Sequence, residues 1–146
     1  MEKSNSLINF RMRLQELIDQ FVNTIGYKNK LVVSEPYYPY DHSNGDEQYP
    51  NSGYPGCYVF ASGDGNVQYV GKASRYLGNR IWAHIGRMVK PEKDGDLYPN
   101  AESWIKENQP HIGVWTVPIP DEHWWLASAL EGFLAESLFP EKSRQI

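Results

Sequence analysis

Two short runs of aromatic and β-branched residues, separated by a turn-forming pentapeptide, leave this chain few architectures. Cys57-Tyr58-Val59-Phe60-Ala61 comes first, Ser62-Gly63-Asp64-Gly65-Asn66 follows, and Val67-Gln68-Tyr69-Val70-Gly71 closes the unit. The pentapeptide is rich in residues that tolerate positive φ, so the flanking runs are predicted to pair as a hairpin. A third run, His111 to Ile119 (HIGVWTVPI), has the β-branched and aromatic character of another strand.

The rest of the periodic sequence is helical. From about Ser6 to Ile25, Leu7, Phe10, Leu14, Leu17, Ile18, Phe21 and Ile25 recur at spacings of three and four, one stripe of an amphipathic helix. Ser4 or Ser6 is the expected cap and Gly26 the expected stop. A second helix is predicted from about Tyr76 to Val89 on the stripe Leu77, Ile81, Ile85 and Met88, broken by Pro91 and DGDLYPN. One or two helical turns are expected over Ser103–Asn108. A last helix is expected from Trp124 to Phe139, with Asp121 as its N-cap and Pro140 as its end. Leu31-Val32-Val33 reads as a short extended run, and Glu35 to Gly56, with four of the ten prolines, as a long irregular loop. Its tyrosines (Tyr37, Tyr38, Tyr40, Tyr49 and Tyr54) suit either pinning the loop to the body or stacking on bases.

The order helix, loop, hairpin, helix, strand, helix predicts an α/β (α+β) architecture. It is a small, mostly antiparallel three-stranded sheet flanked by helices, with an extra N-terminal helix. At 146 residues the chain is one domain's worth. Residues 1–55 are expected to pack a helix and a Tyr/Pro-rich loop on a core formed by 56–146. No apolar run reaches the roughly 18 residues of a membrane span, so no membrane partner is expected. With no signal-peptide pattern at the N-terminus, a cytoplasmic location is the default. Cys57 is the single cysteine, which excludes an intrachain disulfide and a cysteine-rich zinc site. The histidines, His42, His84, His111 and His123, lack paired zinc spacing. There is no phosphate-binding Walker loop and no nucleophilic serine elbow.

The formal charge is −4, mildly unfavourable for a nucleic-acid partner. Its distribution matters more. Between Gly71 and Lys93 lie Lys72, Arg75, Arg80, Arg87, Lys90 and Lys93 against Glu92 alone, a net +5, which leaves −9 for the remainder. A positive strip on an acidic body is compatible with a phosphate-binding face, as it is with a solvated helix surface.

Three segments then carry a family resemblance: Pro55-Gly56-Cys57-Tyr58-Val59-Phe60, Gln68-Tyr69-Val70-Gly71-Lys72, and Leu77-Gly78-Asn79-Arg80-Ile81-Trp82-Ala83-His84. Together with Ala129-Leu130-Glu131-Gly132-Phe133-Leu134 after the third strand, they resemble the GIY-YIG nuclease domain over roughly Gly56 to Pro140. Cys57-Tyr58-Val59 stands at the first tripeptide, Tyr69-Val70-Gly71 at the second, Arg80 at the family's arginine and Glu131 at its metal-binding glutamate. The resemblance implies a metal-dependent endonuclease hydrolysing DNA phosphodiester bonds, with one Mg²⁺ (or Mn²⁺) held by Glu131. Its catalytic set is Tyr58, Tyr69, Lys72, Arg80, His84 and Glu131, and its DNA-binding cations are Lys72, Arg75, Arg80, Arg87 and Lys90.

The residue types suit that chemistry. One carboxylate with water and substrate phosphate is a usual way of holding magnesium. The arginine fork matches phosphate oxygens, and on a helix Arg80 and His84 share a face. A tyrosine, with its ordinary pKa near 10, needs cations or a metal to act as a base. Tyr58 is the favoured base-like residue, with Tyr69 close behind. Two departures stand out: Cys57 replaces a small aliphatic residue, and Ser143 stands where family members often carry asparagine. No separate DNA-binding module is evident, so a protein partner or homodimer is expected to supply DNA specificity. The alternatives are a degenerate GIY-YIG-fold module that binds nucleic acid without cutting it, or a protein-interaction module using the Tyr-rich loop.

Overall fold

In the computed structural model the described residues are 2–38, 51–62, 65–81 and 113–139, with the side chains of 2–8 excepted. Helix α1 spans Glu2–Ile25, so Ser4 and Ser6 lie inside it rather than capping it. Its stripe is largely as expected: Phe10, Leu14, Ile18 and Phe21 are buried, while Ile25 is exposed at the end of the helix. Gly26 terminates α1 at φ +71. Its N–H bonds Asn23 O (3.2 Å) and the Tyr27 N–H reaches back to Val22 O (3.0 Å). This Schellman pattern satisfies the last carbonyls and needs the left-handed backbone that glycine adopts without strain.

The sheet has strands β1 (Gly56–Ala61), β2 (Val67–Ala73) and β3 (Gly113–Pro118), in the order β2-β1-β3 and antiparallel throughout. The three-stranded, antiparallel α+β expectation with an N-terminal helix therefore holds. Central β1 is buried along its whole length, because it has neighbours on both edges and layers on both faces. Tyr58 pairs with Gly71 on one side and Thr116 on the other; Cys57 pairs with Lys72 and Val117. Paired residues share a face and successive residues alternate, so Tyr58 and Cys57 head opposite faces.

The Cys57 face carries the main core. Cys57, Val59, Ala61, Val70, Trp115 and Val117 pack with Phe10, Leu14, Ile18 and Phe21 of α1 and with the last helix. That helix, Leu126–Leu138, does not begin on an Asp121 cap as expected. Asp121–His123 instead forms a 3₁₀ turn, and the N–H groups of His123, Trp124 and Ala127 are taken up by carbonyls three residues back. With those donors satisfied by backbone, no side-chain cap is used at either start.

Leu31–Val33 is extended but forms no strand. It is clamped by α1: Gln15 bridges Leu31 O and Val33 N (2.9 Å each), and Arg11 donates to Val33 O (3.0 Å) and Ser34 O (3.2 Å). Ser34 N bonds Thr116 O (2.8 Å) and Tyr37 pairs with Val114, so this segment covers the outer edge of β3. Hence the start of the long loop is pinned to the body.

On the Tyr58 face, residues 51–55 dock on the helical residues 77–81. Leu77 N bonds Tyr54 O (2.8 Å), Gly78 N bonds Ser52 O (3.1 Å), and Asn51 Nδ2 donates to Thr116 Oγ1 (3.0 Å). We call 77–81 α2 and Leu126–Leu138 α3. The expected continuation of α2 to Val89 and the turns over 103–108 lie outside the described residues. Among the described residues, no helix is long and apolar enough to cross a membrane.

Candidate active site

The first tyrosine is placed by its own strand. Tyr58 lies on central β1 and is 0% exposed. Its ring centroid is 5.7 Å from Phe60 and 6.0 Å from Tyr69, and the three rings form one aromatic cluster. Gly71, its partner across β2, makes room for it: a methyl there would overlap Cζ and Oη of Tyr58 and stand 2.8 Å from Cε2. The glycine of the second tripeptide is thus a packing requirement of the tyrosine in the first.

The Tyr58 hydroxyl hydrogen-bonds with the side chains of Tyr69 and Arg80. Burial is the main cause that pushes this hydroxyl's pKa above the ordinary phenol range, with Tyr69 adding to the rise and Arg80 opposing it. At neutral pH Tyr58 is therefore an uncharged phenol. Tyr69, at the same cluster, is 38% exposed on edge strand β2. Of the two tyrosines, Tyr69 is the one that water reaches.

Lys72 and Glu131 come from the opposite face. Lys72 Nζ donates to Ser128 Oγ at 2.7 Å, tying β2 to the first turn of α3. Glu131 follows Ser128 by three residues, on the same side of that helix. Its neighbours Leu130 and Leu134 are fully buried, which fixes the helix rotation and leaves Glu131 half-buried at the rim. Desolvation raises the carboxyl above the ordinary carboxylate range, against the lowering fields of Lys72 first and Arg80 second. Both cations thus act on one carboxylate, Lys72 from one face of the sheet and Arg80 from the other.

Glu131 is the carboxylate of this set that could hold a hard cation. Mg²⁺ is commonly held by one carboxylate, water and substrate phosphate. Among the described residues no group of three or more His, Cys, Asp or Glu comes together. A cage built from protein ligands alone is therefore not formed by them.

Cys57 does more than fill space. It is fully buried and its Sγ donates to Ala127 O at 3.3 Å, a bond no aliphatic residue makes. Burial pushes the thiol pKa up, the charge of Glu131 adds to this, and Lys72 eases it. The thiol is protonated and unreactive in this setting.

The structure thus brings together Tyr58, Tyr69, Lys72, Arg80 and Glu131 of the expected catalytic set. His84, Arg87, Lys90 and Ser143 lie outside the described residues. Arg75 is separate: it lines a cleft with Tyr76, Asp121 and Trp124. Sequence reasoning missed Ser128, whose signal was its position one helical turn before Glu131. It also missed Asn51 and Ser52, which hold the β3 and α2 ends of the Tyr58 face and have no local motif. Compared with protein-family models, curated proteins and solved structures, the chain has no match in any of the three.

Proposed function

We propose that this chain is a metal-dependent endonuclease of the GIY-YIG type, hydrolysing phosphodiester bonds in DNA. The observation that carries the proposal is that Arg80 takes part in two arrangements at once. Tyr58 shares its hydroxyl with Tyr69 and Arg80, and Glu131 lies in the combined field of Lys72 and Arg80. Phosphodiester hydrolysis has a use for each of these groups, which come from four elements.

In this proposal the Arg80 guanidinium grips non-bridging phosphate oxygens and stabilises the charge that builds on them as water adds to phosphorus. Lys72, fixed by Ser128, supplies a second positive charge at the rim. The attacking water meets Tyr69, the more exposed of the two tyrosines. Tyr58, buried and neutral, orients Tyr69 and Arg80. As the water oxygen bonds to phosphorus and the P–O bond to the leaving oxygen breaks, the proton from the attacking water passes to bulk water at the exposed edge, which also supplies one to the leaving oxygen. These roles exchange those expected of the two tyrosines from sequence, and the reason is burial. Bound at Glu131, Mg²⁺ would lower the pKa of water and offset phosphate charge.

The test is cleavage of supercoiled plasmid and of branched DNA with Mg²⁺ or Mn²⁺, comparing wild type with Glu131→Ala. Nicking or linearisation by wild type and not by the variant supports the nuclease and its metal ligand together. Silence of wild type on every substrate would sink catalysis, and equal cutting by both would remove Glu131 from the site. A non-cleaving nucleic-acid-binding module is the second reading. It is favoured by the absence, among the described residues, of a group of three or more His, Cys, Asp or Glu, and it predicts DNA binding that is indifferent to Mg²⁺.

A further inference from the structure

Beside the candidate active site lies an open cleft of about 570 Å³, within the size range of small-molecule sites. Its walls come from three chain segments and include Pro55, Arg75, Tyr76, Asp121 and Trp124. Tyr76 is 52% and Trp124 51% exposed, and Tyr54 stands half-exposed next to Pro55. Rings this large leave water readily when a flat apolar surface is offered, and they lose little conformational freedom when covered.

The frame of the cleft is rigid. Ile119 N bonds Pro55 O at 2.8 Å, joining the wall at 55 to the end of β3 just before Asp121. Leu77 N bonds Tyr54 O at 2.8 Å, joining it to the wall at 74–76. Lys72, just before the wall at 74–76, and Ser128, just after the wall at 121–124, are joined at 2.7 Å. The half-exposed aromatics therefore sit on a preformed platform, which keeps the cost of ordering a ligand low.

Chain connectivity sets the distance to the chemistry. Arg75 follows Lys72 by three residues, at most about 11 Å along an extended chain. One DNA strand advances about 3.4 Å per nucleotide, so the cleft lies within about three nucleotides of a phosphate held at Lys72. Its lining combines a guanidinium for phosphate, a carboxylate that accepts from the amino edge of a base, and two rings for stacking. A partner helix or a second copy would use the rings but gives no role to the carboxylate and guanidinium together.

We propose that this cleft holds an unpaired nucleotide of the DNA substrate, its base stacked on Tyr76 or Trp124, its phosphate at Arg75 and its amino edge at Asp121. The inference rests on the nuclease reading and narrows its substrate class. The preferred DNA carries a flap, gap or extruded nucleotide within about three positions of the cut, rather than a continuous duplex.

The experiment measures binding by fluorescence anisotropy, in EDTA, for a duplex and for the same duplex bearing a short single-stranded flap. It is run on wild type, Trp124→Ala, Trp124→Phe and Tyr76→Ala, each checked for an unchanged fold by circular dichroism. Wild type is expected to favour the flapped DNA by about fivefold to a hundredfold, the scale of one aromatic–base stack. Trp124→Ala and Tyr76→Ala are expected to reduce that ratio, and Trp124→Phe to restore most of it. Equal binding of the two DNAs by wild type would overturn the proposal. So would variants that weaken both DNAs equally, or a wild-type dimer that Trp124→Ala dissociates. Cleavage with Mg²⁺ is scored separately: a flap preference without cutting leaves the cleft standing and sinks the nuclease, and cutting without a flap preference does the reverse.

Discussion

Gly71→Ala isolates the packing that places Tyr58. The backbone at Gly71 does not occupy the left-handed region, so alanine is conformationally allowed there. In a strand, exchanging glycine for alanine ordinarily stabilises a protein by about 0.5–1 kcal/mol. The sign is expected to invert here. The new methyl overlaps Cζ and Oη of Tyr58 and stands 2.8 Å from Cε2. That ring is wholly buried and has no free path to solvent. Overpacking costs about 1–3 kcal/mol, and an overlap with three atoms of a confined ring belongs in the upper half of that range. Setting about 2–3 kcal/mol of overpacking against the backbone gain leaves a net loss of about 1–2.5 kcal/mol. In a chain of this size that lowers the melting temperature by about 2–10 °C. The assay is urea unfolding followed by circular dichroism, for Gly71→Ala in wild type and in a Tyr58→Ala background. With the ring gone, Gly71→Ala is expected to stabilise, a coupling of about 2–3 kcal/mol between the two positions. An equal cost in both backgrounds, or a stabilised single variant, would refute the reasoning.

Glu131→Gln is expected to match wild type in metal-free melting temperature near about pH 4 and to exceed it at pH 7. A carboxyl raised in the folded state contributes its relative stability at low pH and loses it as pH rises through the folded pKa; a variant less stable than wild type at pH 7 would contradict the desolvation. Added Mg²⁺ is expected to raise the melting temperature of wild type and not of this variant. Cys57 should resist Ellman's reagent in the native chain and react once denatured, since it is buried and held protonated; rapid native labelling would mean that the seam between β1 and α3 opens. Ile18→Ala on α1 is expected to cost about 2–5 kcal/mol in urea unfolding, because Ile18 is wholly buried in the shared core; a loss below about 1 kcal/mol would show α1 to be an appendage.

How much of this was legible follows from which forces are local. The hairpin could be read because a turn peptide and two β-branched runs are contiguous, and its observed strands, Gly56–Ala61 and Val67–Ala73, extend the expected ones by one and two residues. The stripe of α1 was legible for the same reason, down to the Gly26 stop. What failed was the chemistry of ends. Asp121 looks like a helix cap, but Pro120 O and Asp121 O accept from His123 N and Trp124 N, the donors that its side chain would have taken. Leu31–Val33 is extended as expected, but its backbone partners, the amide of Gln15 and the guanidinium of Arg11, lie 16 to 22 residues away. The candidate site residues were named through a motif, whereas Ser128 binds Lys72 across 56 residues with no local trace. Nor did any pattern distinguish the two tyrosines, because burial is a property of the assembled layers.

That last point has a structural logic. Tyr58 and Lys72 belong to adjacent registers on opposite faces of the hairpin, so neither face alone can hold the whole site. β2 is an edge strand, and an edge is where groups from two faces can approach one another around a backbone. Arg80 from the α2 layer and Lys72 from the α3 layer both act on Glu131, which is how the two layers come to share one carboxylate. The cores beneath them differ in kind. The α3 layer stands on a cluster of fully buried aliphatic residues with α1 behind it, while the α2 layer is tied to residues 51–55 through backbone bonds from Leu77 and Gly78. Backbone bonds near the surface open at lower free energy than a packed core. Leu77 and Ile81 of α2 are themselves wholly buried, however, so its backbone bonds are backed by packing and the Arg80 side is held as the Glu131 side is.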